Sequence, residues 1–486
     1  MPSLPLVLLI GAALLAAEEP ADSPWSARLE EWIEAARVPG VQAAVLDDGE
    51  VVWSGAAGVA RRARGEEPAV PLRDDVPFPA ASFSKPVVAC VVLALAEEER
   101  LDLDAPIRTL LPPERRRLLP DDERFDGVTA RRILSHSAGL VGGGRPRLGL
   151  DPGERFSFSG AGHDLLQQAV EAVAGEGLEA LASRIVFEPA GMTRSTFVAG
   201  TRLADPDGPV GHDRFGQELP FRDPPRAYAS YSLRTTAADY GRFLAALLAG
   251  EIVSDASRRT LLTPVVPAQR AVAHLAGAPF DPVPLVEWGL AFGREETPTG
   301  AVWFLWGNHP GFRAWVAFDA ARGDGVVWLS NSSDGLVLRR AFVGAVLPGP
   351  HPAHAWIESE AHDDPALALS RRLGISARDE GIDAAKALHA EWSADAALAP
   401  LLAPEERLVG ETGQLLQLSG RTEAAIALLR WHAELAPDDP WAHENLARVL
   451  LFAGHADEAK PALRRCLELD PGHRFAFETL RRLDSR

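Results

Sequence analysis

The chain has 486 residues, of which 47% are hydrophobic, and its formal net charge is −19. This length suits two or three soluble globular domains, and the composition excludes a disordered chain. The strong negative charge, without any lysine-rich run, argues against partners such as nucleic acid or anionic lipid surfaces. The two cysteines, Cys90 and Cys466, each lie in an apolar helical pattern and are predicted to be buried thiols. The 13 histidines show no metal-ligand spacing, so we predict no metal and no other cofactor.

Residues 1–17 carry no charged side chain and end in small residues, which is typical of a signal peptide. The stretch is short for a membrane span. The basic residue that usually precedes such an apolar run is missing, so an uncleaved membrane anchor or a misassigned start is the alternative. We expect export to the periplasm or the extracellular space.

The following residues predict alternating strands and helices. After a short helical pattern over 30–37, apolar strands at 41–46 and 51–55 flank the turn-forming residues 47–50, which predicts a β-hairpin. Strands are predicted again near the end of this region, at 302–305, 313–318 and 325–330. Strands at both ends with helices between them predict one mixed α/β (α+β) domain over 24–348, whose two ends pair in a single antiparallel sheet.

Ser82 and Lys85 are the residues that point to chemistry. Residues three apart share a helix face, so a helix beginning near Ser82 brings its hydroxyl and the Lys85 amine together. A desolvated lysine has a lowered pKa and can take the serine proton, which makes Ser82 a candidate nucleophile and Lys85 its base. Taken alone, the pattern also fits an exposed lysine one turn after an N-cap serine.

The choice of lysine at position 85 favours the catalytic interpretation. Lysine and arginine total 49, and only Lys85, Lys386 and Lys460 are lysines, which leaves 49 − 3 = 46 arginines. In a chain that uses arginine almost everywhere, a lysine at this position indicates a group that must be able to lose its proton.

Four ordered motifs resemble the serine hydrolase family of class C β-lactamases, D-amino-acid peptidases and related esterases. They are residues 78–85 (FPAASFSK), 134–140 (LSHSAGL), 187–192 (FEPAGM) and 310–313 (PGFR). The resemblance covers about residues 25–348. It implies the penicillin-recognising fold, in which helices cover an antiparallel sheet and form a helical subdomain.

Two of the three catalytic motifs of that family are altered here. The second motif begins with a tyrosine that shares proton transfer with the lysine, and this chain has Phe158-Ser159-Gly160, which lacks an ionisable group. The third motif begins with lysine or histidine, and this chain has Leu305-Trp306-Gly307. The resemblance still implies an oxyanion hole made by the backbone amides of Ser82 and Asn308, because Gly307 is retained.

The altered motifs narrow the expected chemistry. In β-lactam-recognising relatives the third-motif cation holds the substrate carboxylate, so Leu305 makes β-lactams poor candidates. A Ser–Lys pair alone can still cleave an ester or a strained amide. His163 or His309 could replace the lost proton carrier, but an incidental loop histidine is the commoner case, and His136 is expected to be a structural hydrogen-bonding residue.

The C-terminal part has a different composition and a 34-residue repeat, the period of tetratricopeptide repeats. Gly420 and Gly454 are one repeat apart, and residues 418–426 resemble residues 452–460. We predict a linker over 349–365 and a tetratricopeptide-like domain over 366–486 that begins with a degenerate helical pair over 366–399. This domain either binds a protein or peptide partner in its groove or extends the packing of the first domain, against which its first helices are expected to dock.

The sequence therefore predicts an exported serine hydrolase of the β-lactamase-related family, acting on a small ester or amide through an acyl-enzyme on Ser82. The alternative is a catalytically impaired pseudoenzyme that serves as a binding or scaffolding protein.

Overall fold

The computed structural model describes residues 23–141, 146–198, 205–269, 282–357, 364–402 and 407–485. The predicted signal peptide therefore lies outside the described residues. The strands in this part of the chain are β1 Gly40–Asp47, β2 Glu50–Arg61, β3 Val70–Pro71, β4 Phe78–Ala81, β5 Leu140–Val141, β6 Arg147–Leu148, β7 Gly211–His212, β8 Glu218–Leu219, β9 Leu233–Thr235, β10 Val266–Gln269, β11 Pro282–Trp288, β12 Gly293–Thr297, β13 Gly300–His309, β14 Phe312–Phe318 and β15 Gly325–Ser330.

The helices of the N-terminal domain alternate with these strands. They are α1 Pro24–Ala36, α2 Ser84–Glu97, α3 Ile107–Leu110, α4 Pro113–Arg116, α5 Ala130–Leu134, α6 Gly160–Ala174, α7 Leu178–Ala182, α8 Ala237–Ala249, α9 Asp255–Leu261, α10 Arg339–Val346 and α11 Ala353–Ile357. Short 3-10 helices at Glu123–Gly127 and Gly335–Leu338 and a π-helical turn at Ser183–Phe187 complete the domain.

The largest sheet joins the two ends of this domain, as the sequence predicted. Among the described residues it has nine strands in the order β10-β11-β12-β13-β14-β15-β1-β2-β3. Strand β1 pairs antiparallel with β15, with Val41 opposite Ser330, and forms the predicted hairpin with β2. Helix α8 packs on one face of β1 and β2. Helix α1 packs against β2, and helix α10 packs against β15. A central strand covered in this way is buried on both faces, which explains why β1 is buried from Gly40 to Leu46 and is apolar apart from Gln42.

The C-terminal domain is entirely helical within the described residues. Its helices are α12 Pro365–Asp379, α13 Ile382–Ala394, α14 Ala399–Leu402, α15 Arg407–Leu418, α16 Thr422–Leu435, α17 Pro440–Phe452, α18 Ala456–Leu469 and α19 Arg474–Asp484. The antiparallel pairs α15–α16 and α17–α18 are the two recognisable repeats, and Ala425 and Ala459 are fully buried where their helices meet. The degenerate pair predicted over 366–399 is formed by α12 and α13.

Helix α12 docks the repeats onto the N-terminal domain. Arg371 donates hydrogen bonds of 3.1 and 2.8 Å to the Asp334 carboxylate and one of 2.7 Å to the carbonyl of Ala36. Phe215 of the N-terminal domain enters the repeat core, where a Cβ atom on Gly374 would come within 2.0 Å of its ring. The docking of the first helices agrees with the prediction.

The stretch predicted as a linker, residues 349–365, is partly helical and packs against the N-terminal domain. Helix α11 lies within it, and Trp356 is fully buried against Phe156, Trp288 and Phe304 of the N-terminal domain. His351 also contacts the buried Glu295 carboxylate at 2.7 Å. The proline and glycine content suggested a tether, but a buried tryptophan anchors this segment to the first domain.

Both cysteines are buried free thiols, as predicted. In the part of the chain that the structure describes, we find no helix that combines the length and the apolar character needed to span a membrane.

Candidate active site

A tight turn between β4 and α2 presents Ser82. The preceding residue, Ala81, has φ = 50°, a left-handed conformation that alanine adopts at a cost. The neighbouring Ser84 fixes this turn, since its hydroxyl donates to the Ala81 carbonyl at 2.7 Å and accepts from the Leu233 amide at 3.0 Å. Ser82 is therefore held just before the first turn of α2, close to the predicted start of that helix.

Lys85 lies against Ser82, the candidate nucleophile, as the spacing predicted. Its Nζ is 2.9 Å from the Ser82 hydroxyl oxygen and donates to the Ser230 carbonyl at 2.7 Å. Only 1% of the residue is exposed. Burial lowers the lysine pKa to about 7, although the carboxylate of Asp164 acts in the opposite direction. A substantial fraction of Lys85 is therefore neutral at physiological pH and able to accept the serine proton.

Phe158 of the altered second motif closes the site beside the amine. The Lys85 Nζ lies 5.0 Å from the centre of the Phe158 ring. The ring stacks on His136 at 4.1 Å and contacts Trp306 at 4.6 Å. Phe158 therefore occupies the space beside the lysine and contributes to its desolvation, but it supplies no proton.

His136 is the structural residue that the sequence suggested. Its Nδ1 accepts a hydrogen bond of 3.0 Å from the Ser159 amide, which fixes the second motif against α5. His163 lies in the first turn of α6, with Nδ1 3.1 Å from the Ser159 carbonyl. Burial, assisted by the positive charge of Lys85, lowers the pKa of His163 to about 3. His163 is therefore neutral at physiological pH.

Strand β13 carries the altered third motif along the other side of the candidate nucleophile. A Cβ atom on Gly307 would lie 2.4 Å from the carbonyl of Ala80, so only glycine permits this approach of β13 to β4. Leu305 is fully buried in the apolar core, whereas Asn308 is exposed. The role of the Asn308 amide as the second oxyanion donor stays a prediction. His309, the other histidine considered as a proton carrier, has Nε2 3.2 Å from the Tyr231 carbonyl.

Ser230 and Asp164 are site residues that sequence reasoning missed. Ser230 orients Lys85 through its carbonyl, and the Asp164 carboxylate accepts from the Ser230 hydroxyl at 2.7 Å and from its amide at 3.3 Å. Ser230 is 145 positions from Lys85 in the chain. No short-range spacing connects them, and the only signal was a Ser/Tyr-rich run at the end of a proline-rich stretch.

The fold and the arrangement of Ser82 and Lys85 are those of the β-lactamase-related class of serine hydrolases. A family model described as Beta-lactamase matches residues 25–343, so the chain belongs to this family. A tetratricopeptide repeat model matches residues 416–482, which identifies the C-terminal repeats.

Similar proteins include esterases and penicillin-binding proteins. Esterase EstB of Burkholderia gladioli is 32% identical over 195 residues, which are 34% of this chain and 48% of EstB. The chain thus spans about half the length of this curated relative. Among solved structures, an octameric penicillin-binding protein homologue from Pyrococcus abyssi has a TM-score of 0.53 at 20% identity, covering 71% of this chain and 81% of its own. A class C beta-lactamase has a TM-score of 0.54 at 16% identity, and the match covers 66% of this chain and 96% of the beta-lactamase chain. These two structures support the fold alone.

Proposed function

We propose that this β-lactamase-family protein hydrolyses a carboxylic ester or a reactive amide through an acyl-enzyme on Ser82. The observation that carries the proposal is the buried Lys85 amine, 2.9 Å from the Ser82 oxygen, with its pKa lowered to about 7. The esterase name of a relative supports the ester as the first substrate class to test.

The proposed reaction has two steps that both use Lys85. Ser82 Oγ attacks the carbonyl carbon of the substrate while the neutral lysine takes its proton. The tetrahedral oxyanion faces the amides of Ser82 and Asn308. When the bond to the leaving alcohol or amine breaks, the lysine returns the proton to that group. A water molecule then attacks the acyl-enzyme, again giving a proton to Lys85, and the acid leaves as the proton returns to Ser82.

Because two motifs are altered, we expect this mechanism to turn over slowly. Phe158 cannot relay the proton as a phenol does, so Lys85 must act as both base and acid in each step. Leu305 places a buried apolar side chain where relatives carry a cation. The same two residues favour the second candidate function, a pseudoenzyme that binds its ligand or scaffolds a partner through the repeats.

Acylation of Ser82 separates the two functions. We expect a fluorophosphonate probe to label the intact protein at Ser82, detected by peptide mass spectrometry, and an activated ester such as p-nitrophenyl butyrate to be hydrolysed. The Ser82→Ala variant, which differs by one oxygen, serves as the control. Absence of labelling in a folded protein would favour the pseudoenzyme.

A further inference from the structure

Of the two histidines considered as replacements for the lost proton carrier, one is open to solvent. His163 is fully buried, and its Nε2 is enclosed by protein atoms. His309 lies at the end of β13, where its side chain is partly exposed. It follows Asn308, whose amide is the proposed oxyanion donor. His309 is therefore the histidine that water can reach.

The side chain of His309 lies on the face of β13 that meets the turn with Ser82. Side chains alternate along a strand, so positions 307 and 309 share one face. A Cβ atom on Gly307 would lie 2.4 Å from the carbonyl of Ala80, which is two residues before Ser82. The His309 ring is therefore on the same side of the sheet as the candidate nucleophile.

His309 and Lys85 are anchored to the carbonyls of two consecutive residues. The Lys85 Nζ donates to the Ser230 carbonyl at 2.7 Å, and the His309 Nε2 lies 3.2 Å from the Tyr231 carbonyl. The Cα atoms of consecutive residues are about 3.8 Å apart. The charge of Lys85 is also close enough to lower the pKa of His309. The two nitrogen bases therefore belong to one cluster.

The contact with Tyr231 fixes the protonation of the His309 ring. A carbonyl oxygen can only accept, so Nε2 carries the hydrogen. Burial lowers the pKa of the imidazole, and the hydrogen bond to Tyr231 opposes this shift. The charges of Arg234, Lys85 and Arg313 act in the same direction as burial. The ring is therefore neutral at physiological pH, with a lone pair on Nδ1.

The lone pair of Nδ1 is available to a molecule in the site. Nδ1 has no hydrogen bond to any residue in the described part of the chain, and it is not among the polar atoms that the fold encloses. The rings of Phe221 and Tyr231 hold the imidazole by edge contacts, with centroids 5.0 and 5.6 Å away. Phe158, beside Lys85, has no polar atom that could accept from water. His309 thus provides an oriented acceptor that the second motif lacks.

We infer that His309 holds the water molecule that hydrolyses the acyl-enzyme on Ser82. The inference rests on the proposed function and deepens its second step, because it assigns a residue to the water that enters there. Nδ1 accepts a hydrogen bond from one O–H of this water, and the other O–H is directed at Lys85. The carbonyls of Ser230 and Tyr231 keep the two groups in place.

The step balances without a charge on His309. The water oxygen forms a bond to the acyl carbon, and the proton directed at Lys85 passes to the neutral amine. The bond between the acyl carbon and Ser82 Oγ then breaks, and Lys85 returns its proton to Oγ. The O–H held by Nδ1 stays on the carboxylic acid product, so the imidazole orients the water and does not change its protonation.

The test separates formation of the acyl-enzyme from its hydrolysis. The full-length protein is mixed with p-nitrophenyl butyrate, and quench-flow mass spectrometry follows the butyryl adduct as it forms and, once the ester is exhausted, as it decays. His309→Phe keeps a ring against Phe221 and Tyr231 but removes the acceptor. We expect decay to slow at least ~10-fold, because a misplaced nucleophile costs this much or more, while formation changes little.

The pH dependence of decay distinguishes this role from a structural one. Decay requires both Lys85 and His309 to be neutral, so below both pKa values its rate should fall with the square of the proton concentration. Formation requires only neutral Lys85 and should fall with the first power. In His309→Phe and His309→Gln position 309 does not titrate, and decay should also fall with the first power. The amide of His309→Gln can still donate to the Tyr231 carbonyl.

His443→Phe is the matched control, since His443 of the repeats likewise has Nε2 2.9 Å from a backbone carbonyl, that of Pro437. It should leave both rates unchanged. Circular dichroism melts check the fold of each variant, and where His309→Phe does not fold, the pH dependence of His309→Gln decides alone.

Unchanged decay in His309→Phe, equal losses of formation and decay, or a first-power pH dependence of decay in the unmutated protein would overturn the inference. Fluorophosphonate labelling of the unmutated protein reports separately on the proposed function. Labelling with unchanged decay in His309→Phe keeps the hydrolase and removes the role of His309. Absence of labelling removes both.

Discussion

The carboxylate of Asp164 and the hydroxyl of Ser230 form a hydrogen bond of 2.7 Å, and the carbonyl of the same serine accepts a hydrogen bond from Lys85. This arrangement brings a negative charge near the Lys85 amine without a direct contact. Burial lowers the pKa of Lys85, and the Asp164 charge raises it in part, with a resulting value of about 7. In the proposed mechanism, Asp164 is therefore a positioning residue that keeps the pKa of the Lys85 amine near neutral pH.

The pH dependence of acylation follows from this balance. Because the base must be neutral, we expect the rate of Ser82 acylation to increase with pH and to reach half its maximum near the Lys85 pKa of about 7. In Asp164→Asn the charge that raises this pKa is lost, while the amide oxygen can still accept from Ser230. The midpoint should therefore move to lower pH. Stopped-flow labelling across pH 5–9 measures it, and an unchanged or higher midpoint would contradict the role of Asp164.

Exchange of Lys85 for arginine tests whether the proposed base must lose its proton. Lys85→Arg keeps the positive charge but cannot supply a neutral base, so we expect loss of acylation nearly as complete as in Ser82→Ala. Lys386→Arg is the matched control, because Lys386 is a partly exposed lysine of the repeat domain that pairs with Glu434 and lies over the Trp431 ring. Full activity in Lys85→Arg would remove the lysine from the mechanism.

Restoring a phenol in the second motif should increase activity. Phe158 lies 5.0 Å from the lysine amine, so the hydroxyl of Phe158→Tyr would lie near the proton pathway. We expect hydrolysis of an activated ester to rise by at most ~10²-fold, the usual contribution of one proton carrier. Steady-state kinetics with the same ester measure this, and a folded variant with unchanged kcat would show that other losses limit the site.

Restoring a cation in the third motif should destabilise the protein. Combining Phe158→Tyr with Leu305→His would restore an ionisable group in both altered motifs. Leu305, however, is fully buried among apolar residues. A histidine there should therefore lower the free energy of unfolding by about 1–3 kcal/mol unless its imidazole finds a hydrogen-bond partner. We expect Leu305→His to lower the melting temperature, measured by circular dichroism, and Leu305→Met to be the well-tolerated control.

The local features of this site were predictable from sequence because they depend on short spacings. Ser82 and Lys85 share one helix turn, and the 34-residue period identifies the repeats directly. The hairpin at the start of the first domain follows from two mainly apolar stretches on either side of the turn-forming residues 47–50. The pairing of β1 with β15 required only the rule that strands at both ends of such a domain meet in one sheet.

The features that were missed depend on contacts between distant residues. Ser230 reaches Lys85 from 145 positions away, and neither residue type nor spacing marks it. Trp356 lies in a segment whose prolines and glycines suggest a tether, but its burial is decided by aromatic rings of the first domain. A cavity lined by Trp306 and Asn308 of β13 and by Leu415 of α15 likewise forms only because these two distant elements come together.

The buried contact between the two domains should contribute measurably to stability. Arg371 is 8% exposed at its side chain and bonds both Asp334 and the carbonyl of Ala36. Removal of one member of such a pair leaves a buried charge with fewer partners, so we expect Arg371→Gln to lower the free energy of unfolding by about 3 kcal/mol. Arg372→Gln, on the exposed side of the same helix, should change it by less than about 1 kcal/mol.

Truncation tests the same interface independently. A fragment ending at Ile357 keeps Trp356 in the first domain but exposes the surface that α12 covers, so we expect it to melt below the full chain. A fragment ending at Pro352 also loses Trp356 and should melt lower still, while the isolated repeats over 364–486 should be helical but marginally stable. Circular dichroism melts of the four proteins decide this. If both parts melt at the temperatures seen in the full chain, and Arg371→Gln behaves like Arg372→Gln, the repeats are an independent module and their contact with the first domain contributes no stability.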